Sequence, residues 1–73
     1  MPKLPVVSGE DVVKVLSKQG FIVRKGRGDH VIIQSKDGNR NIVVPLHREL
    51  KSGTLRAIIK QSGLTVEEFV NLL

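Results

Sequence analysis

The chain lacks several residue types on which enzymes and binding proteins often depend. Among its 73 residues there is no cysteine, tryptophan or tyrosine, and the phenylalanines are limited to Phe21 and Phe69. The absence of cysteine excludes disulfides, thiolate metal sites and cysteine nucleophiles. The scarcity of aromatic rings argues against a platform that stacks single-stranded bases, so any contact with nucleic acid would use phosphates and grooves.

Long apolar runs are also missing. Residues 1–7 contain two prolines and no extended hydrophobic stretch, so they predict neither a signal peptide nor a membrane span. A hydrophobic content of 40% is enough for a small packed core and excludes a disordered tail. We therefore expect a single domain over residues 1–73 that is soluble, cytoplasmic, free of membrane contact and monomeric when alone.

Acidic residues are scarce in the middle of the chain. The net charge is +5, and residues 14–60 hold eleven Lys and Arg against three acids, whereas four of the seven acids lie in the flanks. A basic centre favours a polyanionic partner, because each phosphate contact releases counterions. The alternative is an ordinary solvated surface that keeps the protein soluble.

Local signals predict three helices. Ser8 and Asp11 have the spacing of a capping box, and Gly20 would end the first helix, whose inward residues would be Val12, Val13 and Leu16. A second helix would bury Leu55, Ile58 and Ile59 and end at Gly63. A second capping box, Thr65 to Glu68, would begin a short final helix with Phe69 and Leu72 facing inward.

Three strands are predicted between the first two helices. The dipeptide Asp37-Gly38 is a strong hairpin signal. Closing the chain there pairs Ile33 with Ile42 and Val31 with Val44, which gives one apolar face. On the opposite face Ile32 meets Val43, and His30 lies near Pro45.

The register of the earlier hairpin depends on the length of its loop, which contains two glycines. A three-residue loop, residues 26–28, pairs Phe21 with Ile33 and Val23 with Val31, whereas a two-residue loop would reverse every side chain of the first strand. We prefer the three-residue loop because it keeps one core. It places Arg24 across from His30 on the face turned away from the core. The expected fold is an α+β sandwich with a three-stranded antiparallel sheet and helices on one face.

His30 is the residue most suggestive of chemistry. It follows the basic run 25–29 and begins an apolar strand. Histidine is the side chain whose charge changes near neutral pH, so it is the natural candidate for proton transfer in a chain without cysteine. A surface or capping role is the alternative reading of a single histidine on a strand.

Several segments together resemble the HicA toxin family. They are Gly20-Phe21, the basic element Gly28-Asp29-His30, residues 44–47, residues 51–64 and residues 67–69. Each segment alone is a weak signal, but their order and spacing agree over nearly the whole chain. The resemblance implies a fold similar to the double-stranded RNA-binding domain. It also implies a ribonuclease toxin that cleaves messenger RNA and is neutralised by a HicB antitoxin encoded beside it.

The resemblance further implies that His30 is the catalytic residue, because it matches the histidine of the family's Gly-Ser-His element. Two positions depart from the family pattern. Asp29 replaces the serine, which puts a negative charge beside the histidine, and Lys25 replaces the usual arginine.

Cleavage of RNA without a metal or cofactor needs a base for the 2′-hydroxyl proton and positive charge for the phosphorane. His30 suits the first role, and Arg24, Lys25 and Arg27 suit the second. Leaving-group protonation would fall to water or to His47. We expect no metal site, because the acids of this region are not spaced to share one face.

The remaining expected contacts are with RNA and with the antitoxin. Gly28 is a turn residue that would also approach RNA, Lys36 and Arg40 flank the second turn as either solvated charges or RNA contacts, and His47 is either structural or in contact with RNA. Ile32 and Val43 lie beside His30 and would form the antitoxin interface, unless they reflect only the β-propensity of an exposed strand.

Two functions compete with the enzyme. A non-catalytic RNA-binding module could use the same basic face, with His30 as a mere contact. An inactive toxin relic could persist as the partner of its antitoxin. DNA binding by the second helix ranks lower, because no helix-turn-helix pattern is present.

Overall fold

The computed structural model describes residues 4–73. The elements in chain order are α1 Gly9–Lys18, β1 Ile22–Lys25, β2 His30–Gln34, β3 Asn41–Pro45, α2 Ser52–Ser62 and α3 Val66–Asn71. The strands form one antiparallel sheet in the order β1-β2-β3. This α-β-β-β-α order confirms the expected α+β architecture and is compatible with the fold that the family resemblance implies.

The helix termini follow the local sequence signals. At the start of α1, Ser8 Oγ accepts a hydrogen bond from the Asp11 N–H, while Asp11 Oδ2 accepts one from the Ser8 N–H. Thr65 and Glu68 form the same reciprocal pair at the start of α3. Both capping boxes are therefore confirmed, and each satisfies two N–H groups that the helix leaves free.

The core lies between the helices and one face of the sheet. Ile33, Ile42 and Val44 of the sheet are fully buried against α1 and α2, as the predicted apolar face requires. The helices add a second layer of buried side chains: Val12, Val15, Leu16, Leu55, Ile58, Ile59 and Phe69. Val15 takes the deep position of α1 that was expected of Val13, which is only partly buried.

The β2–β3 register is confirmed in full. Ile33 pairs with Ile42, Val31 with Val44, Ile32 with Val43, Gln34 with Asn41, and His30 with Pro45. The turn between the strands is stabilised by Asp37, whose carboxylate accepts bonds from the Ser35 hydroxyl and the Asn39 N–H. Gly38 provides the positive φ of 76° that this turn needs.

The predicted β1–β2 register is wrong by two residues. Val23 pairs with Ile33 and Arg24 with Ile32, so Arg24 does not lie across from His30. A slip of two residues keeps every side chain on its expected face. The turn consists of residues 27–29, in which Gly28 has the positive φ of 56° and the His30 N–H donates to the Arg27 carbonyl at 2.9 Å.

Gly26 explains why the turn forms one residue later than expected. A Cβ built on Gly26 would collide with the His30 carbonyl oxygen and would lie 2.9 Å from its carbon. Gly26, directly after β1, therefore lies at a packed position where only a residue without a side chain fits, and the turn uses Gly28 instead.

Candidate active site

The outer face of the sheet, turned away from the helices, carries the candidate site. It consists of alternate residues of the three strands: Ile22, Arg24, His30, Ile32, Gln34, Asn41, Val43 and Pro45. His30 is the first residue of β2, and 47% of its side-chain surface is exposed. The imidazole is thus open to solvent and not sealed among the helices.

A single carboxylate contacts both histidines of the chain. Asp29 Oδ1 lies 2.8 Å from His30 Nδ1, and Asp29 Oδ2 lies 3.0 Å from His47 Nε2. The two rings are 6.1 Å apart between centroids and meet edge to face at 74°. Residues separated by 18 positions in sequence therefore form one cluster, which we call the Asp29 cluster: Asp29, His30 and His47.

Backbone contacts hold the three parts of this cluster in place. The Leu46 N–H donates to the Asp29 carbonyl at 2.6 Å, which ties the turn of the first hairpin to the end of β3. The Gly9 N–H donates to the His47 carbonyl at 2.9 Å, which ties the start of α1 to the same segment. The cluster thus lies where a hairpin, a strand end and a helix start converge.

The electrostatics of the cluster favour an ionised Asp29. Partial desolvation acts to raise the pKa of its carboxyl, but the adjacent His30 and the hydrogen bond with His47 outweigh this effect and leave the pKa below its usual value. Near neutral pH the side chain is therefore a carboxylate, which can accept hydrogen bonds but not donate them.

The cations expected around His30 are only partly brought together. Arg24 lies diagonally across the sheet from His30, and its Nε donates to Gln34 Oε1 at 3.1 Å, on the side away from the imidazole. Lys25 ends β1 and Arg27 lies in the turn that precedes His30, both exposed to solvent. These two cations are close to His30 in the chain, and Gly28 forms the bend between them and the cluster.

Lys36 and Arg40 lie at the other end of the sheet. From His30 to the end of β2 at Gln34 the strand spans roughly 13 Å, and Lys36 follows two residues later in the turn. The Lys36 stem lies beside Gly20, and Arg40 Nη1 donates to the Gln61 carbonyl at 3.0 Å, near the end of α2. The structure therefore does not bring these two side chains to the Asp29 cluster.

Apolar side chains occupy the outer face next to the site. Val43 is 55% exposed, Ile22 is 48% exposed, and Ile32 lies half-buried beside Val43. Ile22 was not named in the sequence prediction, although the predicted register already placed it on this face. Together these residues form what we call the outer apolar strip: Ile22, Ile32 and Val43.

The chemistry available here is proton transfer by an exposed imidazole beside cations. Between residues 4 and 73, no set of three or more His, Asp and Glu side chains has an arrangement that could hold a metal ion. No helix in that range is both long and apolar enough to cross a bilayer.

Comparison with known proteins identifies the family. The family model described as HicA toxin of bacterial toxin-antitoxin matches residues 9–64, which include every strand and the whole Asp29 cluster. A search of curated proteins gave no match. Because the family match covers most of the 73 residues, the chain belongs to the HicA toxin family of bacterial toxin–antitoxin systems.

Proposed function

We propose that this chain is a metal-independent endoribonuclease that cleaves messenger RNA in the cytoplasm, with His30 as the general base. The observation that carries the proposal is the exposed His30 imidazole on the outer face, held by a carboxylate and preceded by a basic turn. Membership of a toxin family supports a damaging activity, and a net charge of +5 supports a polyanionic substrate.

The reaction needs only side chains of this protein and water. His30 takes the proton of a ribose 2′-hydroxyl, and the 2′-oxygen forms a bond to the adjacent phosphorus. The bond between phosphorus and the 5′-oxygen then breaks, and the 5′-oxygen receives a proton from water or from His47. The products are a 2′,3′-cyclic phosphate and a 5′-hydroxyl end.

Positive charge would stabilise the phosphorane. Arg27, in the turn before His30, is the nearest cation along the chain. Lys25 pairs with Val31 on the opposite face of the sheet, so it would reach the phosphate only around the end of the hairpin. Arg24 lies on the diagonal from His30, where Cα atoms are about 7–8 Å apart. Its long side chain can reach the site if the phosphate replaces Gln34 as its partner. Lys36 and Arg40 would contact RNA only where the bound strand continues along the sheet.

The test is cleavage of an unstructured RNA by purified protein in the presence of a chelator. His30→Ala is expected to lower the rate by about 10²–10⁴-fold, the usual contribution of a general base. Asn41→Ala is the control, because Asn41 is exposed on the same face at the end opposite to His30. The parent should cleave the RNA, and the products should carry 2′,3′-cyclic phosphate ends.

Three outcomes would overturn the proposal in different ways. Binding of RNA by the parent without any scission would favour the non-catalytic RNA-binding module. A parent that neither cleaves RNA nor arrests growth when it is induced would favour the inactive relic. Equal rates for His30→Ala and the parent would remove His30 from the mechanism.

We further propose that a HicB-like antitoxin covers the outer apolar strip and blocks RNA at the same time. Three apolar side chains on an exposed strand face next to the site favour a protein partner. Val43→Lys should weaken binding of the small protein encoded beside this chain. Val23→Lys is the matched control, because Val23 has a similar exposure of 47% but lies on the opposite face of the sheet. Equal binding by both variants would place the antitoxin elsewhere.

A further inference from the structure

We propose that Asp29 is a positioning residue that fixes the two histidines of the site in opposite tautomers. It would hold His30 by Nδ1, so that Nε2 is the nitrogen that takes the 2′-hydroxyl proton, and would hold His47 by Nε2. This inference rests on the proposed function for its catalytic consequence, but its structural part can be tested without any activity.

The geometry supports the assignment of the protons. Both oxygens of Asp29 lie close to a ring nitrogen: Oδ2 makes a hydrogen bond with His47 Nε2 at 3.0 Å, and Oδ1 makes an ion-pair contact with His30 Nδ1 at 2.8 Å. A carboxylate only accepts hydrogen bonds, so each ring nitrogen that faces it must carry a proton. In the neutral form of His30 the lone pair is therefore on Nε2, which points away from the contact.

The backbone makes Asp29 suitable for this role. Its carbonyl accepts a hydrogen bond from the Leu46 N–H, and the residue directly precedes His30. The backbone from which the carboxylate extends is therefore held between the two rings. The hydrogen bond from Leu46 does not involve the Asp29 side chain. A substitution at position 29 should therefore leave the hairpin attached to the end of β3.

The side chain that matches this position in the HicA pattern, serine, could not do the same. A serine hydroxyl has one oxygen on a shorter side chain, so it cannot present two separated acceptors to two rings. The inference therefore depends on the aspartate of this chain and assigns Asp29 a role that the serine of the family pattern could not perform.

The structural test is the tautomer of each imidazole, read from ¹⁵N chemical shifts of the ring nitrogens at pH 8, where a neutral ring shows which nitrogen is protonated. An unconstrained histidine prefers its proton on Nε2, so His30 is the diagnostic ring and His47 is an internal reference. In the parent we expect His30 with its proton on Nδ1. In Asp29→Ala we expect His30 to return to the Nε2 form.

Asp29→Asn sharpens the test. An amide offers one acceptor oxygen and one donor NH₂ group, so it can accept a hydrogen bond from only one of the two protonated ring nitrogens. We expect one imidazole to change tautomer in this variant, although the side chain keeps nearly the same shape. His30 with its proton on Nε2 in the parent would overturn the inference, whatever the activity.

The kinetic test measures kcat and KM separately. Asp29→Ala and Asp29→Asn should lower kcat by about 10- to 100-fold. This is less than the about 10⁴-fold loss that follows when a buried triad aspartate is replaced, because 59% of the Asp29 side chain is exposed. KM should stay equal or fall, because removal of a negative charge favours RNA binding.

Asp37→Asn is the matched control, since it removes the same charge from the other hairpin turn, far from His30. It should leave kcat unchanged. A kcat for Asp29→Asn equal to or above that of the parent would refute a positioning role and favour simple charge repulsion of RNA. If the parent shows the expected tautomers but no cleavage of RNA, the proposed function fails while the assignment of the protons stands.

Discussion

Replacement of Gly9 by alanine should destabilise the protein, although alanine is normally the better helix former. Gly9 is the first residue of α1 and is buried. A Cβ built on it would collide with the Pro45 carbonyl oxygen, and it would lie 2.8 Å from Leu46 Cα. Both obstacles are backbone atoms, so a side-chain rotation cannot relieve the overlap and α1 must move away from the end of β3.

The expected cost follows from the size of such overlaps. An extra methyl group forced into a packed site costs about 1–3 kcal/mol. In a domain of this size each kcal/mol changes Tm by about 4–8 °C, so Gly9→Ala should lower Tm by about 4–24 °C. Because the Gly9 N–H also holds the His47 carbonyl, the same change should disturb the Asp29 cluster.

Gly53→Ala provides a control with the opposite sign. Gly53 is the second residue of α2, and no atom beyond its chain neighbours and the adjacent helix backbone lies within 4 Å of a Cβ built there. The intrinsic helix preference of alanine should therefore act alone and raise stability by about 0.5–1 kcal/mol. Thermal unfolding followed by circular dichroism compares the variants. A Gly9→Ala protein as stable as Gly53→Ala would show that α1 does not approach the Pro45–Leu46 backbone this closely.

Two further predictions concern stability. Phe69→Ala should cost about 3–5 kcal/mol, because Phe69 is fully buried although α3 has only six residues, whereas Leu73→Ala at an exposed position should cost little. Chemical denaturation measures both, and similar losses would refute the role of α3 in the core. The pKa of Asp11 is lowered by hydrogen bonds from the Ser8 backbone N–H and hydroxyl, so its contribution is present near neutral pH and lost as acid protonates it in the folded state. Tm should therefore fall below about pH 4, less steeply in Asp11→Asn than in the parent. Parallel curves for the two proteins would contradict this.

Much of the fold could be predicted because its signals are local. Each capping box involves residues three positions apart, so Ser8 with Asp11 and Thr65 with Glu68 could be recognised without tertiary information. The β2–β3 register was equally accessible, since the Asp37-Gly38 turn and the alternation of apolar residues agree on one solution. Val15 was missed because Val13 was assigned to the inward stripe, although Val12, Val15 and Leu16 have the i, i+3, i+4 spacing of one helix face.

The β1–β2 register could not be decided locally. Loops that differ by two residues leave every side chain on the same face, so hydrophobic alternation cannot distinguish them. The observed register is stabilised by two contacts that the apolar alternation does not reveal. Gly26 packs on the His30 carbonyl, and the Asp29 carbonyl pairs with the Leu46 N–H. The consequence for the site is large, because Arg24 faces Ile32 and bonds Gln34 rather than standing beside His30.

The helices and their caps could be predicted from the sequence alone, as could the apolar face of the sheet, the family and the candidate imidazole, because each depends on neighbouring residues or on a recurring pattern. The position of Asp29 between His30 and His47 became visible only in the folded chain. Those two histidines are 17 residues apart, and their meeting requires the end of β3 to fold back onto the first hairpin. No local preference encodes that approach, since it arises from packing and hydrogen bonds that exist only in the folded chain.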